Sequence, residues 1–155
     1  MTVKLVQFTQ EQVRDIAQIS SGDLRQWRKS VPYLAERPGK KARFAFSDVV
    51  ALAITRELTG SLGARISEIS LGIDTLFRLL SQARPTDLGG LIAIVESRSA
   101  ELLSAHELSQ LKFTAACFIA PCDPLIAEIG SHMIPLAATS NQINLPFPPH
   151  SLRSH

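Results

Sequence analysis

The chain has 155 residues, 45% of them hydrophobic, which suits one ordinary domain or a small module with a second one appended and excludes a disordered chain. No apolar run approaches the roughly 18 residues of a membrane span, and Met1-Thr2-Val3-Lys4 does not open a signal peptide, so a cytoplasmic protein without membrane partners is expected. Two cysteines in that setting point to a reducing compartment and no disulfide.

The net charge of +2 conceals an asymmetry. Through Ser70 there are eleven basic residues against seven acidic; from Leu71 onward there are five against seven. Arg25, Arg28, Lys29, Arg37, Lys40, Lys41 and Arg43 follow one another with Glu36 as the only acid among them. Such a block is an electrostatic footprint for polyanions, although composition alone fits a solvated basic face equally well.

In chain order, residues 3–8 have strand composition. Thr9 offers a hydroxyl N-cap with Gln12 three residues on, a capping-box spacing, and Val13, Ile16 and Ala17 give the first helix one apolar stripe that stops near Gln18. Ile19 is the apolar residue of a tight turn, and Ser20 or Ser21 caps a second helix. In that helix Leu24 faces the first one, leaving Gly22, Asp23, Arg25, Gln26 and Lys29 outside. Two short helices joined by a tight turn, the second small at its start and basic, make a helix-turn-helix pattern.

Pro32 ends that helix and Pro38-Gly39 marks a turn. The alternation in Arg43-Phe44-Ala45-Phe46 predicts a β-hairpin wing, two short strands around residues 38–41 with a basic tip. Ser47-Asp48 is expected to cap a third helix carrying Val49, Val50, Leu52, Ala53, Ile54 and Leu58, broken by Gly60 and Gly63. Ile66, Ile69, Ile73, Leu76 and Leu80 then trace an a/d seam on a helix over 66–82. Packing on the domain's own core is the favoured reading of that stripe over a coiled coil, because two heptads are short of a self-standing one.

After Pro85 the pattern changes. Leu91-Ile92-Ala93-Ile94-Val95 reads as a strand, residues 97–99 as a turn, residues 100–103 as a return strand and residues 113–120 as a further β-like run. Asp123-Pro124 reads as an N-cap and an N1 proline opening a helix with Leu125, Ile126, Ile129 and Met133 inward. The proline-rich residues 146–155 are expected to be extended.

The order of these features over residues 8–69 resembles the MerR family of bacterial regulators. Phe8-Thr9 looks like the aromatic-Thr start of that family, and Val13, Ile16 and Ile19 fall on its helix and turn core positions. Leu24-Arg25-Gln26-Trp27 is similar to its Leu-Arg-aromatic-aromatic signature, with Gln26 in place of the first aromatic. Arg43-Phe44-Ala45-Phe46-Ser47-Asp48-Val49 resembles the wing strand and the helix start after it, and Leu62-Gly63 with Ile66-Ser67-Glu68-Ile69 resembles the segment that ends the domain. The resemblance implies a winged helix-turn-helix that binds duplex DNA as a homodimer, with a recognition helix in the major groove and a wing on the backbone. Pro85, Gly89 and Gly90 depart from the long dimerising helix of that family.

The candidate DNA-contacting residues are therefore Ser21, Gly22, Asp23, Arg25, Gln26, Arg28 and Lys29 on the helix and Lys40, Lys41 and Arg43 on the wing. Guanidinium groups and helix-start amides bind phosphate, and Asp23 either accepts from a cytosine amine or serves only as a helix-start acid. Trp27 is assigned to the core, since duplex DNA offers no free base to stack on.

Other chemistry is weaker. Cys117 and Cys122, with His106, Asp123 and His132 near them in sequence, suggest a metal sensor, but Cys117 lies in an apolar run where cysteine behaves as a buried hydrophobe. There is no nucleophile elbow and no phosphate-cradling glycine loop, so neither enzymatic activity nor a cofactor is expected. The expected fold is α+β, a winged helix-turn-helix over 1–83 with a small strand-containing region over 84–145 for dimerisation or a protein partner, and a tail over 146–155. The expected function is transcription regulation on nucleoid DNA; the alternatives are an excisionase-like architectural protein and an antirepressor-type interaction module.

Overall fold

The computed structural model describes residues 6–143, with side chains through Met133. The fold is α+β. Strand β1 (Gln7–Phe8) leads into helix α1 (Gln10–Ala17), which opens on a reciprocal cap: the Gln12 amide N–H donates to Thr9 Oγ1 at 3.3 Å and the Thr9 N–H to Gln12 Oε1 at 2.9 Å. Val13, Ile16 and Ala17 are buried, and Gln18 ends the helix in the left-handed region at φ 56°. Residues 18–20 turn the chain into α2 (Ser21–Ser30), capped by Ser20 in the same way through Asp23. Leu24 and Trp27 are its buried residues, as their spacing predicts, and Val31 closes it.

The hairpin expected next does not form. Val31 and Pro32 instead start a short helix, α3 (Pro32–Ala35), because proline at the first helical position fixes a helical φ and gives up an N–H that would have no partner there. The turn of residues 36–43 follows, and then the single strand β2 (Phe44–Ala45). Its partner is β1, antiparallel, with Phe8 opposite Phe44 and both rings buried. The alternation around Phe44 thus marks a strand, but one that pairs with a distant segment. Residues 3–5 of the expected first strand lie outside the described residues.

Helix α4 (Phe46–Arg56) is the centre of the molecule: residues 47–55 are all buried. A helix covered on all sides is largely apolar all round, and the buried polar residues Asp48 and Thr55 in it have hydrogen-bond partners. Ser47 and Asp48 lie inside its first turn, not before it; Asp48 reaches back to accept the N–H of Ala45, the capping residue, at 2.8 Å. The helix widens into a π-turn (Glu57–Ser61), and Gly63, at φ 68°, reverses the chain.

Helix α5 (Ile66–Gln82) has the expected bounds. Ile66, Ile69, Ile73, Leu76 and Leu80 are all buried within this chain. Each such side chain is worth about 1.5–3 kcal/mol in place, so the seam is committed to the domain's own core and is not free for a coiled coil.

A 3-10 turn (Pro85–Asp87) leads to a three-stranded antiparallel sheet in the order β4-β3-β5, with β3 (Leu91–Val95) between β4 (Ala100–Ser104) and β5 (Phe118–Pro121). The β3–β4 turn meets α5 at Gly72, whose N–H donates to the Ser97 carbonyl at 3.2 Å. Between β4 and β5 a further helix, α6 (Ala105–Gln110), is capped by Ser104 and Glu107; residues 113–117, read from their composition as strand, precede β5 without joining it.

The last helix, α7 (Cys122–Ile143), begins one residue before the expected cap, so Asp123 lies in its first turn and accepts the Gly90 N–H at 2.9 Å. Leu125 and Ile129 are buried and Ile126 and Met133 half-buried. One contiguous core joins Phe8, Val13, Leu24, Leu52 and Ile73 to Leu88, Val95, Ala120 and Ile129. Among the described residues no helix is long and apolar enough to cross a membrane. The tail over 146–155 lies outside the described residues.

Candidate nucleic-acid interface

Burial of Leu24 and Trp27 fixes the roll of α2. Ser21, Gly22, Arg25, Gln26 and Lys29 are exposed and Asp23 is half-buried. The capping box occupies part of the Asp23 carboxylate: Oδ2 accepts the Ser20 N–H at 3.2 Å. Its negative charge is thereby placed at the positive end of the helix. The face that remains offers two cations, an amide able to read an adenine edge, and small residues at the first turn.

Arg28 is not on that face. It is half-buried, and its Nη2 is 3.5 Å from the Gly39 carbonyl, a long contact that lays the side chain from α2 toward the turn of residues 36–43. Its Nε is buried without a partner, and burial lowers the guanidinium pKa from its ordinary value. A guanidinium so displaced stays charged at neutral pH. Arg28 thus adds charge behind the surface and links the end of α2 to the turn.

That turn carries the other predicted cations. Lys40, Lys41 and Arg43 are exposed, and Arg43 Nη1 donates to the carbonyls of Lys41 and Ala42 at 3.2 Å each, which holds its guanidinium against the turn. Arg37 faces inward: its guanidinium sits 3.8 Å from the centroid of the Tyr33 ring and Nη1 donates to the Tyr33 carbonyl at 3.1 Å. Glu36, the only acid between Arg25 and Arg43, is drawn to Arg78 on α5 at 3.3 Å. The basic surface is therefore left without a neutralising carboxylate from its own segment.

Arg14 on α1 was not among the candidates. With Thr9, Gln10 and Glu11 it forms one wall of a groove whose other wall is Lys40 and Arg43. Only the fold brings these residues together, through the β1–β2 pairing that lays the turn beside the start of α1.

Cys122 is buried at the start of α7, its thiol pKa raised by burial and then by Asp123, while Cys117 is half-buried before β5. Asp123 is engaged by Gly90, His106 lies 3.3 Å from Gln110, and His132 lies 3.8 Å from Glu128. Among the described residues no three His, Cys, Asp or Glu side chains converge as metal ligands do.

Compared with models of protein families, with curated proteins and with solved structures, the chain matches none.

Proposed function

We propose that this chain is a sequence-specific DNA-binding regulator of transcription. In this reading α1 and α2 form a helix-turn-helix of the kind its sequence resembles in the MerR family. The exposed side of α2, with Ser21, Gly22, Arg25, Gln26 and Lys29, enters the major groove. The turn with Lys40, Lys41 and Arg43 takes the place of a wing and lies on the flanking backbone. Residues 84–145 serve self-association or a protein partner.

The observation that carries the reading is the pairing of these two surfaces. Arg28 links them, and the carboxylates of Asp23 and Glu36 are engaged in a helix cap and with Arg78. A solvated helix face needs no such arrangement of charge, whereas phosphate contacts supply much of the affinity of DNA-binding proteins. The test is selection of a preferred duplex from a random pool, followed by anisotropy titrations at low and moderate salt. The double variant Arg25→Ala/Lys29→Ala is expected to lose roughly tenfold or more in preference for the selected duplex. A wild-type chain with no duplex affinity at low salt overturns the reading.

A second reading, an excisionase-like architectural protein, is favoured by the burial of the α5 seam, which removes the helix face that a MerR-type dimer would use. Such a protein coats adjacent sites cooperatively and bends DNA. Footprint length separates the two: one symmetric protected site for the regulator, an extending tract for the architectural protein.

A further inference from the structure

We infer that Arg14, Lys40 and Arg43 form a single phosphate-binding site, a backbone clamp beside α2 that includes a residue of α1. The inference rests on the DNA-binding reading and deepens it, since the turn alone accounts for only two of the three cations. The groove is lined by Thr9, Gln10, Glu11, Arg14, Lys40 and Arg43, so three cations meet one acid there. None of the three cations has an ion-pair partner among the described residues.

Arg14 is the informative member. It is half-buried and its Nε is wholly buried with no hydrogen-bond partner, as is Oε1 of its neighbour Gln10. The Arg14 charge is thus left poorly compensated by the protein, and an oxyanion in the groove that Arg14 lines would compensate it. The forked guanidinium groups of Arg14 and Arg43 suit the oxygens of a phosphate, and Lys40 adds a mobile point charge. Arg43 is already restrained by the Lys41 and Ala42 carbonyls, so less freedom is lost on binding. The ligand is assigned as a phosphodiester of duplex DNA because Arg28 joins this turn to the α2 face, so one polyanion would span both.

The experiment is the salt dependence of binding to one fixed duplex, for the wild type, Arg14→Ala, Arg14→Lys and Arg98→Ala. Arg98 is an exposed cation on the β3–β4 turn and controls for net charge. Arg14→Ala is expected to weaken binding roughly tenfold on any sequence and to lower the slope of log K against log salt by about one. Arg14→Lys should keep the slope while losing part of the affinity, and Arg98→Ala should change neither. Thermal melts of each variant exclude loss of fold. A wild-type slope in Arg14→Ala, or an equal drop in Arg98→Ala, overturns this site while leaving the DNA-binding reading intact; absence of wild-type binding at low salt overturns both.

Discussion

The hydroxyl of Tyr33 donates a 2.6 Å hydrogen bond to Oδ1 of Asp48, and both side chains are buried. Tyr33 stands on α3 and Asp48 in the first turn of α4, so this bond ties the segment leaving α2 to the central helix. Phe77 of α5 stacks on the same ring at 4.8 Å, and the Tyr33 N–H donates to Asp74 of α5 at 2.7 Å. Asp48 meanwhile accepts the Ala45 N–H that opens α4. One aromatic residue thus anchors the basic turn of residues 36–43 at its start.

Tyr33→Phe should cost about 1–3 kcal/mol in urea unfolding, because it leaves a buried carboxylate oxygen without its donor. The alkaline limb carries a second signature. Burial, then the hydrogen bond to Asp48 and its charge, raise the Tyr33 pKa above its ordinary value. The unfolded chain therefore releases that proton first. The stability tied to the neutral phenol is fully present below about pH 10 and is lost as the pH rises from there toward the folded pKa. Tyr33→Phe should flatten this alkaline loss; an unchanged slope would show that Tyr33 does not cause it.

Gly72→Ala should destabilise the protein by about 1–3 kcal/mol or more, even though alanine is the better helix former. A Cβ at this position would lie 1.9 Å from the Glu96 carbonyl oxygen and 3.0 Å from that of Ser99, and both are backbone atoms that cannot swing aside. Gly60 is the matched control. It has open space around it and no positive φ, so Gly60→Ala should be neutral or stabilising by a few tenths of a kcal/mol. Equal melting shifts in the two variants would contradict the close approach of α5 to the β3–β4 turn.

Arg56 at the end of α4 grips Glu128 of α7 through two hydrogen bonds of 3.1 Å, and its Nη1 also donates to the Ala17 carbonyl at the end of α1 at 3.0 Å. Glu128 is 40% exposed, so solvent screens the pair. A double-mutant cycle with Arg56→Met and Glu128→Gln should give a coupling of only about 1 kcal/mol, shrinking as salt rises. Arg56→Met alone should cost more than Glu128→Gln alone, because it also frees the Ala17 carbonyl and removes the 3.0 Å pair of Arg56 Nη2 with Glu57. The reverse order would mean that the contacts of Arg56 with Ala17 and Glu57 together contribute nothing.

Local signals in the sequence translated faithfully. The Thr9–Gln12 spacing marks a capping box and Ser20 caps α2, Leu24 and Trp27 set the roll of that helix, and the period through Leu80 locates α5 between Gly63 and Pro85. Signals with two meanings mislead. Pro32 ends one helix and begins another, and Asp123 resembles a cap although the helix starts before it. Helix α6 was legible in Ser104 and Glu107 but was masked by the β-like runs on either side. Pairings made only in the folded chain could not be read at all. Phe44 finds Phe8 across the whole of the three intervening helices, and that non-local pairing brings Lys40 and Arg43 to Arg14. Exposure of the α2 face was thus open to sequence reasoning, while the groove beside it was not.

The continuity of the core bears on how this chain can be dissected. A fragment ending at Gln82 would carry into water the apolar surfaces that Leu88, Val95, Leu125 and Ile129 now cover. It would also leave Arg56 without Glu128. The basic face is therefore not a portable cassette: grafted or expressed by itself it would lack the scaffold that orients α1, and domain-swap experiments on this chain need the sheet and the last helix to travel with it.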